Sequence, residues 1–276
     1  MKQHDNPSPT LTAALPTDEL RHQFLVSGLF VPGALKLHAW EVDRTVLGAA
    51  IPVAEPLALP NPPELRATSF LERRELGVIN LGGAGVVAVD GTDYALAYCD
   101  ALYVGRGAKA VTFRSADAAR PAHFYLLSYP AHAAYPTKHV AFRGAVGNRL
   151  GTRAGANERT LYKMIYPGTM PTCQLVMGFT RLDIGSIWNT MPPHTHLRRS
   201  EVYLYFDVAP DQAVFHFMGA PQQTRHLVVH NLEAVLSPPW SVHSGAGTAA
   251  YAFVWGMGGE NQEFTDMDPA PIAQLL

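Results

Sequence analysis

A succession of short apolar runs, broken at close intervals by turn residues, sets the strongest limit on what this chain can fold into. Runs rich in Val, Tyr, Leu and Phe recur at 78–81, 85–89, 94–98, 101–104, 111–113 and 123–128, separated by GG, DG, CD, GRG and RP. Similar runs follow at 161–165, 173–182, 202–206, 213–218, 226–229, 233–236 and 250–255. Such residues suit a pleated, half-buried surface, and strands spaced roughly 8–12 residues apart with little helix between them imply a β-sandwich or barrel. Asp90-Gly91 reads as a tight hairpin, since glycine accepts the positive φ that a primed turn needs.

Helix is expected only near the start. Over residues 10–30, Leu20, Phe24 and Leu25 recur at roughly helical spacing, with Asp18 as a cap and Gly28 as a stop. Five prolines between Pro52 and Pro63 make that segment an extended connection. Residues 145–158 read as a linker, dividing the chain into a module at 1–150, with an N-terminal extension, and a second at 151–276. The halves are weakly alike. Arg73-Arg74-Glu75 opens one strand–turn–strand series and Arg198-Arg199-Ser200-Glu201 another, as two copies of one β module would.

Composition excludes several classes. With 21 basic and 23 acidic side chains the net charge is −2, so there is no broad basic field for nucleic acid or anionic lipid. A hydrophobic fraction of 47% against 16% charged argues for a packed core rather than disorder. No stretch of about 18 apolar residues could cross a membrane, and the N-terminus lacks the apolar core of a secretory signal. Two lone cysteines, Cys99 and Cys173, make no disulfide framework and fit a reducing cytoplasm.

Chemistry concentrates in WNTMPPHTHLRRSEVYLYFD. On a strand, His194 and His196 at i and i+2 point to one face. Glu201 opens the next apolar run, and a hairpin can bring its carboxylate beside both rings. His243, in PPWSVHSGAG, ends a later strand. Three imidazoles and a carboxylate suit zinc or another divalent first-row ion, with an exchangeable position if the site is catalytic.

This ligand set resembles the two-motif metal signature of cupins, which are double-sheet jelly rolls. A narrower likeness spans most of the chain beyond residue 20. TCQLVMGFT, WNTMPPHTH, YLYFD, HFMG, RHLVV, SPPWSVHSGAGT, and WGMGGEN followed by TDMD are similar to the 5-keto-4-deoxyuronate isomerase family of pectin breakdown. ERRELGVINLGGAGVVAVDG, DALYVGRGAK, FRSADAARPAHFY and YPTKH join it. The resemblance implies an all-β protein of two cupin-like jelly-roll modules with a few short helices. It also implies one Zn2+ per chain at His194, His196, Glu201 and His243, a homohexamer, and a first module without metal.

The implied reaction converts 5-dehydro-4-deoxy-D-glucuronate to 3-deoxy-D-glycero-2,5-hexodiulosonate, exchanging an aldehyde for a ketone on adjacent carbons. Glu201 is a candidate base; a metal-bound hydroxide, or a hydride shift needing no base, are alternatives. Arg198, with Arg199 beside it, and Lys163 are candidates for the substrate carboxylate, and Gln174 for a sugar hydroxyl. Trp188, Trp240, Phe253, Trp255 and Met257 are expected to fill the barrel or wall a pocket. Two other readings remain open, a metal-dependent cupin oxygenase and a non-catalytic sugar-binding cupin.

Overall fold

A computed structural model describes residues 1–260 and 266–276. The chain is built almost entirely of strands, in two sets of the same design. The first set has a seven-stranded sheet in the order Lys2–His4, Leu35–Trp40, Thr45–Ala50, Phe124–Pro130, Arg74–Asn80, Ala101–Val104, Lys138–Val140. A four-stranded sheet of Leu57–Ala58, Val111–Ser115, Gly85–Val89 and Thr92–Leu96 accompanies it. Val46, Leu76, Val78, Leu102 and Leu126 from the larger sheet and Val87, Val89, Val111 and Phe113 from the smaller form one buried cluster, so the sheets pack face to face.

The second set repeats the plan. Its larger sheet runs Asn148–Leu150, Arg159–Ile165, Val176–Leu182, Ala252–Gly259, Arg199–Phe206, Ala234–Ser237, Leu25–Val26. The smaller comprises Trp188–Asn189, Ser244–Gly247, Val214–Ala220 and Gln223–Val229. A two-stranded ladder, His194–Thr195 with Asp268–Pro269, completes it. Strand for strand, Arg74–Asn80 holds the central place that Arg199–Phe206 holds in the other set. The similarity between the Arg73 and Arg198 segments is therefore a true internal repeat.

By contacts the chain forms two compact units. One comprises residues 1–4, 28–145 and 164–177, the other 5–27, 146–163 and 178–276.

Local chemistry explains most of the elements. Asp90 and Gly91 have φ of 47° and 85°, both positive, and join Gly85–Val89 to Thr92–Leu96 with Val89 opposite Thr92. This is the two-residue primed turn expected from Asp-Gly. The helical segment at 10–30 is two helices rather than one, Pro9–Ala14 and Thr17–Phe24. Pro16 forces the break, because it lacks an N–H and drives Leu15 into extended backbone. Ser8 caps the first helix, while Asp18 lies in the first turn of the second, where its charge meets the helix dipole instead of capping. Residues 145–158 are not a plain linker. Asn148–Leu150 pairs antiparallel with Arg159–Leu161 across that stretch. Strands Leu35–Trp40 and Thr45–Ala50 are additional to those read from the sequence.

Candidate active site

The second set of sheets brings His194, His196, Glu201 and His243 together, with donor atoms all within 4.8 Å of one another. It is the one such group among the described residues. Glu201 sits in the central strand Arg199–Phe206, between Met257 on one side and Ser237 on the other. His194 is held by the short ladder to Pro269, and His196 by its N–H donating to the Pro239 carbonyl at 3.3 Å. His243 immediately precedes the strand Ser244–Gly247. The ring centroids lie 4.5 to 4.9 Å apart, and His243 Nε2 is 3.1 Å from His194 Nε2.

The electrostatics favour a cation. Burial lowers the His194 imidazole to about 4 and His243 well below its ordinary value, so both rings are neutral near pH 7. Burial alone would raise the Glu201 carboxyl, but His243, His196 and His194 outweigh it and hold the group below the usual carboxylate range. Glu201 Oε1 is 3.0 Å from His196 Nε2 and Oε2 is 3.7 Å from His243 Nε2. His196 Nε2 is nonetheless buried with no aligned hydrogen-bond partner. Two donor nitrogens facing each other, a third without a partner and an ionised carboxylate lack only a positive centre. Bonds of ~2.1 Å to a shared ion require donors within about 4 Å of one another, close to the observed spread. His243 Nδ1 lies 3.4 Å from both Ser237 Oγ and the Ser241 carbonyl. Donation from Nδ1 to Ser241 leaves Nε2 as a bare lone pair. The four residues therefore fit a divalent metal.

The cluster opens on a cavity within the second unit. Alternate residues of neighbouring strands line it: Arg199, Glu201 and Tyr203; Phe253, Trp255 and Met257; Arg159 and Leu161; and Thr180. Leu150, Thr190 and Met267 complete the wall with His194. Trp255 can lie flat here because residue 178 is glycine. A Cβ there would meet the Tyr162 carbonyl at 2.2 Å and the Trp255 ring at 2.4 Å. Burial together with the Glu201 carboxylate keeps the Tyr203 phenol protonated. Tyr205 hydroxyl lies 2.7 Å from His216 Nδ1 behind it.

The other residues singled out from sequence lie elsewhere. Arg198 is exposed and paired with Glu260. Gln174 Nε2 donates to the Pro130 carbonyl, and its backbone N–H to Glu75. Lys163 shares the strand of Arg159 but is not in the cavity wall. Two guanidiniums are in the wall instead, Arg199, paired with Asp266, and Arg159. Phe253, Trp255 and Met257 prove to be wall residues, whereas Trp188 stacks on Phe217 and Trp240 meets Phe24 edge-on. Period two counted from Glu201 leads to Arg199 and Tyr203; no local signal marks Arg159.

Comparison with known proteins adds the family. The KduI/IolB family model matches residues 36–272. The chain belongs to the KduI/IolB family. Among curated relatives, the 4-deoxy-L-threo-5-hexosulose-uronate ketol-isomerase of Formosa agariphila is 53% identical over 268 residues, covering 97% of this chain and 96% of that protein. The protein of the same name from Opitutus terrae is 49% identical over all 276 residues, with full coverage of both. Among solved structures, an IolB-like protein from Salmonella typhimurium superposes with a TM-score of 0.71 at 14% identity, over 87% of this chain and 94% of that one. An oxalate decarboxylase from Lactobacillus farciminis gives 0.56 at 9%, over 79% and 78%. These two likenesses concern the fold, which is the cupin-like double jelly roll expected from the sequence.

Proposed function

We propose that this member of the KduI/IolB family is a ketol-isomerase converting 5-dehydro-4-deoxy-D-glucuronate (4-deoxy-L-threo-5-hexosulose uronate) to 3-deoxy-D-glycero-2,5-hexodiulosonate. One observation carries the reading. A carboxylate ringed by three imidazoles opens on a cavity, in a chain about half identical, over nearly its full length, to proteins named for that reaction.

His194, His196, Glu201 and His243 would hold one divalent ion per chain, and imidazole with carboxylate suits zinc. Such an ion supplies Lewis acidity to the sugar's carbonyl and hydroxyl oxygens. Glu201 is the one carboxylate among the described cavity-lining residues, so we assign it the proton transfer. Its Oε takes the proton from C2 of the aldose and returns it to C1, contributing typically ~10²–10⁴-fold. The Tyr203 phenol, kept neutral beside it, offers an exchangeable O–H for the matching transfer from O2 to O1. Phe253, Trp255 and Met257 keep bulk water from the enediol-like state.

Four finer readings accompany this one. The work belongs to pectin and uronate breakdown. It takes place in the cytoplasm, a reading supported by two buried free thiols. The chain assembles as a homohexamer, supported by exposed Val146, Ile184 and Leu197, which a subunit contact would cover. The module at 1–150 is metal-free and that at 151–276 carries the ion. In support, Leu71 and Leu76 stand in the first module where the repeat puts His196 and Glu201 in the second, and both lie in its aliphatic core.

The decisive experiment is NMR of the uronate with purified protein in deuterated water. The aldehyde end should be replaced by a C1 hydroxymethyl signal, with deuterium at C1 to the extent that the Glu201 proton exchanges with solvent during turnover. Chelation should stop the conversion and added divalent metal restore it. A metal-replete preparation that leaves the uronate unchanged overturns the assignment.

A further inference from the structure

We propose that Arg159 is the carboxylate anchor of this cavity, holding the end of the uronate remote from the metal-competent cluster. The proposal rests on the isomerase reading and gives it a substrate polarity.

Arg159 opens its strand and faces the same cavity as His194 and Glu201. Its Nη1 donates to the Asn157 carbonyl at 2.9 Å, and no carboxylate among the described residues lies within ion-pair distance. Four other arginines of the same unit have acidic partners: Arg149 with Asp183, Arg181 with Asp207, Arg198 with Glu260, Arg199 with Asp266. Burial already holds the Arg159 guanidinium below the ordinary arginine value, with only Tyr203 and Tyr251 phenols offsetting it. A charge partly stripped of water and lacking a counter-ion is costly unless an anion arrives. A guanidinium fork is matched to a carboxylate.

The topology separates the two groups. The Arg159 strand is three places from the Glu201 strand in the sheet, so the guanidinium and the carboxylate enter the cavity from different parts of its wall. In the proposed substrate the reacting aldehyde and hydroxyl are at C1 and C2, and the carboxylate is C6. Carbonyl chemistry at Glu201 therefore requires the anion to be held across the cavity. Leu161, Phe253 and Trp255 present apolar surface between the two ends, suited to the methylene at C4. Arg199 is the other guanidinium in the wall, but it is buried and paired with Asp266.

L-Gulonate and D-glucitol test this. Both are open-chain polyols that cannot isomerise, and they differ only in a terminal carboxylate. On metal-loaded wild type, calorimetry should find gulonate bound more tightly. Arg159→Gln should weaken gulonate by about tenfold or more and leave glucitol within about twofold, with Arg159→Lys between. KM for the uronate should rise while kcat stays within a few-fold. Unchanged gulonate affinity in Arg159→Gln, or equal losses for both polyols at unchanged metal content and melting temperature, overturns the proposal. If the glutamine variant does not fold, the lysine variant carries the same comparison. An Arg159-dependent preference for gulonate in a protein that does not convert the uronate would sink the isomerase reading and leave the anchor standing.

Discussion

In the proposed metal site, His243 shows how a ligand would be prepared by its neighbours. Ser237 pairs with Glu201 across the strands, so one register places both the carboxylate and the hydroxyl that faces His243 Nδ1. Losing a partner of this outer kind costs typically ~10–100-fold in metal affinity, and losing the ligand costs more. Ser237→Ala should therefore weaken metal binding about tenfold, and His243→Ala by more than about 100-fold, with most of the fold intact. Metal content after dialysis against a graded chelator reads both. Wild-type stoichiometry in His243→Ala would remove that residue from the ligand set. The four donors were legible because strand alternation and turn punctuation are local. Arg159 was not, since its place in the wall depends on strand pairings that begin 150 residues into the chain and end beyond residue 250.

Strands declare themselves where their composition is decisive. Gly85–Val89 and Ala101–Val104 fall where their sequences put them, and most others differ only at the ends. Thr45–Ala50, TVLGAA, is different. It is buried along its whole length, so it shows no alternation, and its glycine and alanines have little strand preference of their own. Pairing with Leu35–Trp40 and Phe124–Pro130 makes it a strand. Glu75 is equally silent in sequence. Fully buried, it accepts from the backbone N–H groups of Cys173, Gln174 and Leu175 at 2.7 to 2.8 Å and from Tyr103 hydroxyl at 2.8 Å. These partners lie up to 100 residues away, so nothing near ERREL announces them. Glu75→Leu would leave three amide donors and a phenol without an acceptor. At ~1–3 kcal/mol for each buried unsatisfied group, the loss should exceed about 3 kcal/mol. Urea unfolding measures it, and a midpoint within error of wild type would show that water replaces the carboxylate.

The whole molecule is one β design used twice, with the histidine–glutamate cluster in one copy. Where the first copy packs Leu71 and Leu76, the second places His196 and Glu201, and imidazoles whose charging burial opposes make stability depend on acid. His216 is fully buried and burial lowers it to about 3; His194 and His38 fall to about 4, burial again being the largest cause. Unfolded, each has a value near 6.5. Between these values the unfolded chain binds protons that the native protein refuses, so stability must fall as pH drops below about 6.5 and must keep falling toward 4. Above pH 7 all three are neutral in both states and contribute no slope. For His216 alone the loss at pH 5 is about 2 kcal/mol. The metal-free protein should therefore lose several degrees of melting temperature between pH 7 and pH 5. His216→Gln should flatten part of that slope, because the Tyr205 contact survives without a group that titrates. A melting temperature independent of pH over this range, or an unchanged slope in the variant, would mean that His216 takes up its proton in the folded state.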